Sequence, residues 1–252
     1  MSNRTSAWLQ PHVYRSVEAL NRRCSKVSND PFIDTALFPW VSALEAATAD
    51  IVRELKAVQE TTKIPAFQMI SREQAELTRD NRWQTFFLYG MGNRNAENCA
   101  RCPATEAALQ RIPGMKTAMF SILAPRKKIP AHRGPYNGIL RYHLGLVVPE
   151  PERCAIRVGD QTRRWAVGSS LIFDDTYEHE VKNDSAHERV VLFVDVVRPL
   201  RWPMNHVNEA MLEAIRKSPF VTEAEQNLLR FNAKQRAAAM AADTAAGTGE
   251  PA

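Results

Sequence analysis

Apolar residues recur along this chain with two different periods, and the change between them divides it. From Asp34 to Glu60 they return at helical spacing (Trp40, Leu44, Ala47, Ile51, Leu55, Val58), which predicts an amphipathic helix. Tyr14–Val27 also has a helical look within a polar opening stretch, and residues 1–33 read as an N-terminal arm. Arg82–Tyr89 (RWQTFFLY) is dense in aromatics and predicts a strand, followed by a Gly-Asn loop. Pro103–Arg111 predicts a short helix, opened by proline after Cys102 and closed by the Pro113-Gly114 turn.

Beyond residue 117 the apolar segments shorten and are cut by Pro, Gly and Asp turns. Strands are predicted at Thr117–Ala124, Ile139–Val148, Cys154–Val158, Gln161–Ala166, Ser170–Asp174 and Arg189–Val197, with a tight hairpin at Gly159-Asp160. Segments such as VVLFVDVV are apolar on both faces, as inside a sandwich or barrel. Short strands in this number predict a double-sheet jelly roll. After Pro199 the pattern turns helical again (Val207–Lys217, Glu223–Ala241), and AADTAAGTGEPA is expected to be disordered. The predicted fold is mainly β with helical flanks. A single domain spans residues 34–205 with its jelly-roll core at 80–200; C-terminal helices occupy 206–241 and a tail 242–252.

Composition narrows the class. The chain has 252 residues, 44% hydrophobic and 24% charged, as in an ordinary globular protein. No apolar run approaches the roughly 20 residues that span a bilayer, and the opening residues carry no export signal. Four cysteines (Cys24, Cys99, Cys102, Cys154) show no disulfide framework; free thiols fit a cytoplasmic location. A net charge of +5 favours anionic partners, among which peripheral contact with a membrane stays open. Nothing points to nucleic acid.

Candidate chemistry concentrates in the strand-rich block. His132 precedes a Gly-Pro turn (HRGPYNG), and His179 follows LIFDD by a short turn, 47 residues later. In a jelly roll, such segments can meet at the barrel mouth, where two imidazoles suit iron(II); structural, hydrogen-bonded histidines are the alternative. Arg141 and His143 are two apart on one strand and share a face. Arg189 opens the last core strand, and a buried Arg needs an anionic partner such as a dicarboxylate. Ser121 is a lone hydroxyl within AMFSILA.

The segments HRGPYNGILRYHLGLVVP, CAIRV, W-x-x-G-x-x-LIFDDTYEHEV and R-x-x-LFVDVVRP, in this order over residues 117–200, resemble the core motifs of the aspartyl/asparaginyl β-hydroxylase family. The resemblance covers roughly a third of the chain. It implies a double-stranded β-helix, the cupin-like form of the jelly roll, and an Fe(II)- and 2-oxoglutarate-dependent dioxygenase using O2. It further implies iron ligation by His132 and His179. Arg189 and Ser121 would hold the distal carboxylate of 2-oxoglutarate, and Arg141 and His143 its metal-proximal carboxylate. By strand parity, Leu123 and Val191 would wall the pocket. Members resembling this chain hydroxylate Asp or Asn in peptides, or acyl chains of lipid A or ornithine lipids. The lipid A branch carries an Asp two residues after the first His, where this chain has Gly134. The expected substrate is therefore an Asp/Asn-containing or other amino-acid-derived small molecule or peptide, anionic in character. A lipid acyl chain is the alternative.

Gly134 opens a rival, since iron/2-oxoglutarate halogenases also place a small residue there. A non-catalytic cupin-like binding module is a third reading. Cys99 and Cys102 form a C-x-x-C that reads as incidental, without a second pair. The basic run Arg126–Lys128, just before His132, could guide an acidic substrate into the mouth, though solvated loop tips are the simpler reading. Asp174 and Asp175 are expected in a turn or behind the ligands rather than on the metal.

Overall fold

A seven-stranded antiparallel sheet, buried on both faces, organises the structure. The structure, a computed structural model, describes residues 11–247; the start of the expected arm and the last five residues of the tail lie outside the described residues. The larger sheet has the spatial order β1 (Phe32–Ile33), β9 (Ser170–Phe173), β6 (Ile139–Val147), β11 (Arg189–Val197), β4 (Met115–Leu123), β2 (Trp83–Gly90) and β3 (Asn93–Arg94). A four-stranded sheet of β5 (Lys128–His132), β10 (His179–Asn183), β7 (Cys154–Val158) and β8 (Gln161–Arg164) covers one of its faces. This is the predicted jelly roll.

The other face is covered by α2 (Val41–Ala46), α3 (Thr48–Thr61), α5 (Ala96–Ala100) and α6 (Pro103–Leu109). That layer explains why the central strands are apolar on both sides. On β11, Val190, Leu192, Val194 and Val196 pack against the helices with Leu44, Ile51, Leu55 and Val58, while Val191 and Phe193 face the smaller sheet. β4 and β6 divide in the same way: Phe120, Ile122, Tyr142 and Leu144 join the helical side. A sheet residue has only two directions to point, so every position that faces the helices leaves its neighbour facing the inter-sheet space.

Several elements depart from expectation. The single helix expected over Asp34–Glu60 is broken. Pro39 holds Phe38 extended (φ −122°, ψ 93°) after a single turn at Thr35–Leu37 capped by Asp34, and the chain kinks again at Ala47 between α2 and α3. The Glu54 carboxylate accepts the N–H groups of Ala104 (2.7 Å) and Thr105 (2.8 Å), anchoring the start of α6 on α3. Four short strands were not foreseen: β1 and β3, of two residues each, and the pair that carries the histidines, β5 and β10. β5 is a sheet edge, the place that tolerates its Pro130, and the charged residues of both strands hide their alternation.

At the N-terminal side, α1 (Pro11–Cys24) lies against the domain: Asn21, fully buried, donates to Tyr136 Oη and Asn137 Oδ1 at 3.1 Å each. α4 (Phe67–Ile70) packs on β2, and α7 (Met204–Arg216) and α8 (Pro219–Gly247) complete the C-terminal side. α8 continues into the stretch expected to be disordered, because alanines at 241, 242, 245 and 246 favour helix.

The two sheets are tied at one end by Asn183, the last residue of β10. Its buried amide donates to the carbonyls of Leu123 (3.0 Å), Ala124 (3.0 Å) and His187 (2.9 Å), and its Oδ1 accepts from Ser185 Oγ (2.7 Å). Asn183→Ala strands these buried partners together. A loss of about 3 kcal/mol or more is expected, read as a lower urea midpoint with unchanged slope.

Candidate functional site

β5 and β10 run antiparallel with His132 and His179 as direct register partners, so a strand pairing brings two residues 47 apart in sequence face to face. Their ring centroids lie 4.1 Å apart. Each ring is oriented by a main-chain carbonyl: His132 Nδ1 lies 2.8 Å from Pro130 O, and His179 Nδ1 lies 3.0 Å from Tyr177 O. A carbonyl only accepts, so Nδ1 carries the proton and Nε2 of each ring is left as a lone-pair donor. Burial holds His132 below its ordinary pKa. Burial, with the neighbouring His132 and the Arg141 cation, pushes His179 down to about 3. Burial thus favours the neutral imidazole at both positions, the state that binds a metal.

Behind the pair, between the sheets, lies a cavity that Ser121, Arg141, His143 and Arg189 all line. Arg189 is 1% exposed, and neither Nε nor Nη1 has a hydrogen-bond partner. Its guanidinium lies 4.6 Å from the Trp165 ring centroid, and burial pushes its pKa down to about 10. Both nitrogens of the buried His143 also lack partners, and burial, with the charges of Arg189 and Arg141, holds it well below the usual imidazole range. Ser121 Oγ accepts from Trp83 Nε1 at 3.0 Å, which leaves its own proton available. Unmet buried donors cost about 1–3 kcal/mol each, more when charged. This arrangement favours an acceptor-rich anion.

Arg141 is differently placed. Its Nε donates to Asp195 (3.1 Å) and its Nη2 lies 2.9 Å from Asp175, so Nη1 remains for a ligand. Burial opposes its charge, yet the two carboxylates hold its pKa above the ordinary value. Leu123 and Val191 pack in the inter-sheet core, but the apolar lining itself comes from Trp83, Ile129, Ile156, Phe173, Val181 and Phe193, side chains that reach further into the gap.

The comparisons with known proteins bear on this geometry directly. A family model for aspartyl/asparaginyl β-hydroxylases matches residues 45–199. The ornithine lipid ester-linked acyl 2-hydroxylase of Rhizobium tropici is 49% identical over 212 residues, covering 83% of this chain and 75% of that protein. The chain belongs to the aspartyl/asparaginyl β-hydroxylase family. The human aspartyl/asparaginyl β-hydroxylase is 32% identical over 177 residues, which cover 66% of this chain and 23% of that much longer protein. Among solved structures, the Cnp3 cupin domain of Schizosaccharomyces pombe has a TM-score of 0.32 at 9% identity over 46% of this chain and 65% of that one. The jelly-roll assignment stands on the two sheets themselves.

At Gly134 the chain has no space for a side chain. Its N–H donates to Asp175 O (2.8 Å), and a Cβ there would lie 2.2 Å from Asp175 Cγ. Asp174 closes the turn, accepting from Thr176 N (3.0 Å) and pairing with the buried Arg198. Asp175 fills the room beside Gly134; burial, opposed by Arg141, pushes its pKa up to about 6. Among the described residues, no three His, Cys, Asp or Glu side chains converge as a metal-holding group.

Two sequence signals resolve into structure. The run Arg126–Lys128 is not at the mouth: Lys128 starts the strand that His132 ends, about 13 Å away, and Lys127 and Lys128 pair with Asp80 (2.8 Å) and Asp184 (3.3 Å). Cys99 and Cys102 are buried core residues whose thiols burial pushes up to about 11 and about 12. Sequence reasoning missed Trp165 and Trp83, because nothing in a lone tryptophan tells which cation or hydroxyl it will meet.

Two measurements test the geometry. Gly134→Ala is expected to cost about 1–3 kcal/mol, with part of the loss recovered in the double variant with Asp175→Ala. Arg189→Met, which removes an unpartnered buried charge, is expected to stabilise the ligand-free protein by about 1–4 kcal/mol, seen as a raised melting temperature.

Proposed function

We propose that this chain is an Fe(II)- and 2-oxoglutarate-dependent hydroxylase acting on the ester-linked acyl chain of an ornithine-type lipid. The observation that carries the cosubstrate is Arg189: a fully buried cation with unmet donors, on the same cavity as a neutral, oriented imidazole pair. The donor set fits the two groups. Nε2 of His132 and His179 would hold iron. Arg189 and Ser121 would take the distal carboxylate of 2-oxoglutarate, with His143 and Nη1 of Arg141 at the other end. When bound, iron and 2-oxoglutarate supply the oxidation that turns a C–H bond into C–OH, consuming O2 and releasing succinate and CO2.

The protein's own residues do the rest. Pro130 and Tyr177 carbonyls fix the tautomer of each ligand imidazole. Trp165 beneath the Arg189 guanidinium and Trp83 on the Ser121 hydroxyl hold the distal clamp in place before the ligand arrives. Asp195 and Asp175 set the Arg141 plane against the Phe193 ring, 4.4 Å away. Phe173 and Phe193 supply apolar walls to the cavity. A halogenase reading is disfavoured here, because the room a small residue would leave for halide is filled by the Asp175 carboxylate.

For the substrate, 49% identity over most of the chain supports a lipid acyl chain ahead of the Asp/Asn peptide expected at first, which rests on 32% identity. The purified protein with Fe(II), 2-oxoglutarate and an ornithine lipid should form succinate and a lipid bearing one added oxygen in equal amounts. His179→Ala should lower turnover more than about 100-fold, and Arg189→Met should abolish 2-oxoglutarate binding. Succinate formation unaffected by His179→Ala refutes the iron site. Hydroxylation of an Asp/Asn peptide, with the lipid untouched, refutes the substrate.

A further inference from the structure

The C-terminal end of α1 and the start of α7 meet beside the histidine pair, and their exposed surface has an unusual composition. Arg201 N–H donates to Cys24 O (2.8 Å), Lys26 N–H donates to Pro199 O (2.9 Å), and Arg201 Nη1 reaches Ser25 O (2.9 Å). These bonds make segments 24–26 and 199–202 one surface. It continues to the site: Arg22 Nη2 donates to Thr176 Oγ1 (3.1 Å) and Arg133 Nη1 to Thr176 O (3.3 Å). Thr176 is three residues before His179, and Arg133 follows His132.

Trp202 stands out on this surface at 78% exposed, with Leu20 and Val207 also exposed. Leu20 lies three residues before Arg23, on the same helical face. On the surface that these bonds connect, Arg23, Lys26, Arg133 and Arg201 are exposed and make no ion pair with a carboxylate among the described residues; the exposed carboxylate of segment 22–30 is Asp30. By contrast, the basic run Arg126–Lys128 has its two lysines neutralised. An exposed tryptophan on a surface whose cations lack carboxylate partners matches a bilayer interface, where the indole settles among headgroups and each cation gains from anionic lipid.

We propose that this face, Leu20–Lys26 with Arg201, Trp202 and Arg133, docks on an anionic phospholipid surface and presents the histidine pair to it. The docking takes its purpose from the lipid-substrate reading, but it is measured without turnover. The full chain is sedimented with phosphatidylcholine vesicles, with and without phosphatidylglycerol. Binding is expected only with phosphatidylglycerol, weakening as salt rises and accompanied by a blue shift in tryptophan emission. Arg23→Gln with Lys26→Gln should weaken binding roughly 30-fold, from about 1 kcal/mol per cation. Trp202→Ala should weaken it roughly tenfold and remove the blue shift. Both variants should keep wild-type turnover on detergent-dispersed substrate. Absence of binding to phosphatidylglycerol vesicles at low salt, or binding indifferent to both variants, overturns the docking face. Vesicle binding that follows the expected pattern while no lipid is hydroxylated supports the face and removes only the substrate reading.

Discussion

Arg189 is a cation held between two sheets without a carboxylate to neutralise it, and much of the molecule is arranged so that this can persist. A buried charge left with unmet donors is among the most costly features a core can carry. Its stabilisation comes from outside the site. The opposite face of the same strands is packed against α2, α3 and α6 by Val190, Leu192 and Val194, with Phe120 and Tyr142 from the neighbouring strands. Burial of a Val, Leu or Phe contributes about 1.5–3 kcal/mol, so a few such residues on one face offset the strained polarity of the other. The helical layer thus serves the site it never touches.

Charge in the site is graded. Arg141 meets two carboxylates, Asp175 and Asp195, and stays cationic in a fixed orientation. Arg189 meets an aromatic face and keeps donors for a ligand. Between them, His143 is kept neutral by burial and by both cations, and can donate or accept without adding charge. Two arginines of like sign in one cavity repel, and the acidic pair beside Arg141 lowers that repulsion while leaving the other end of the pocket electropositive. A ligand with a carboxylate at each end matches this gradient.

The jelly roll and the family were legible in the sequence, for reasons visible at particular positions, and the six candidate residues singled out there line one cavity. Strand alternation placed Arg141 with His143, and Ser121 with Leu123, on common faces, and the structure keeps both pairs there. The two strands that carry the histidines were not legible. β5 contains Pro130, and β10 (HEVKN) has Val181 as its single apolar residue, so neither carries enough contrast to announce itself. The helix over 34–60 was legible as a face but not as a unit, because Pro39 and the kink at Ala47 interrupt it without disturbing the apolar spacing.

Local preference and periodicity determined which residues face a core, where turns fall, and which polar side chains would need partners if buried. Those properties depend on neighbours in the chain, so the chain alone carries them. Register and cross-sheet distance depend on contacts between residues far apart in sequence, and only the tertiary structure decided them. It set His132 opposite His179, put the Asp175 carboxylate into the space that glycine leaves at 134, and slid the Trp165 ring under Arg189. It also separated the basic residues that pair with carboxylates, Lys127 and Lys128, from those that do not, Arg23, Lys26, Arg133 and Arg201, because an ion pair is a matter of angstroms rather than of composition.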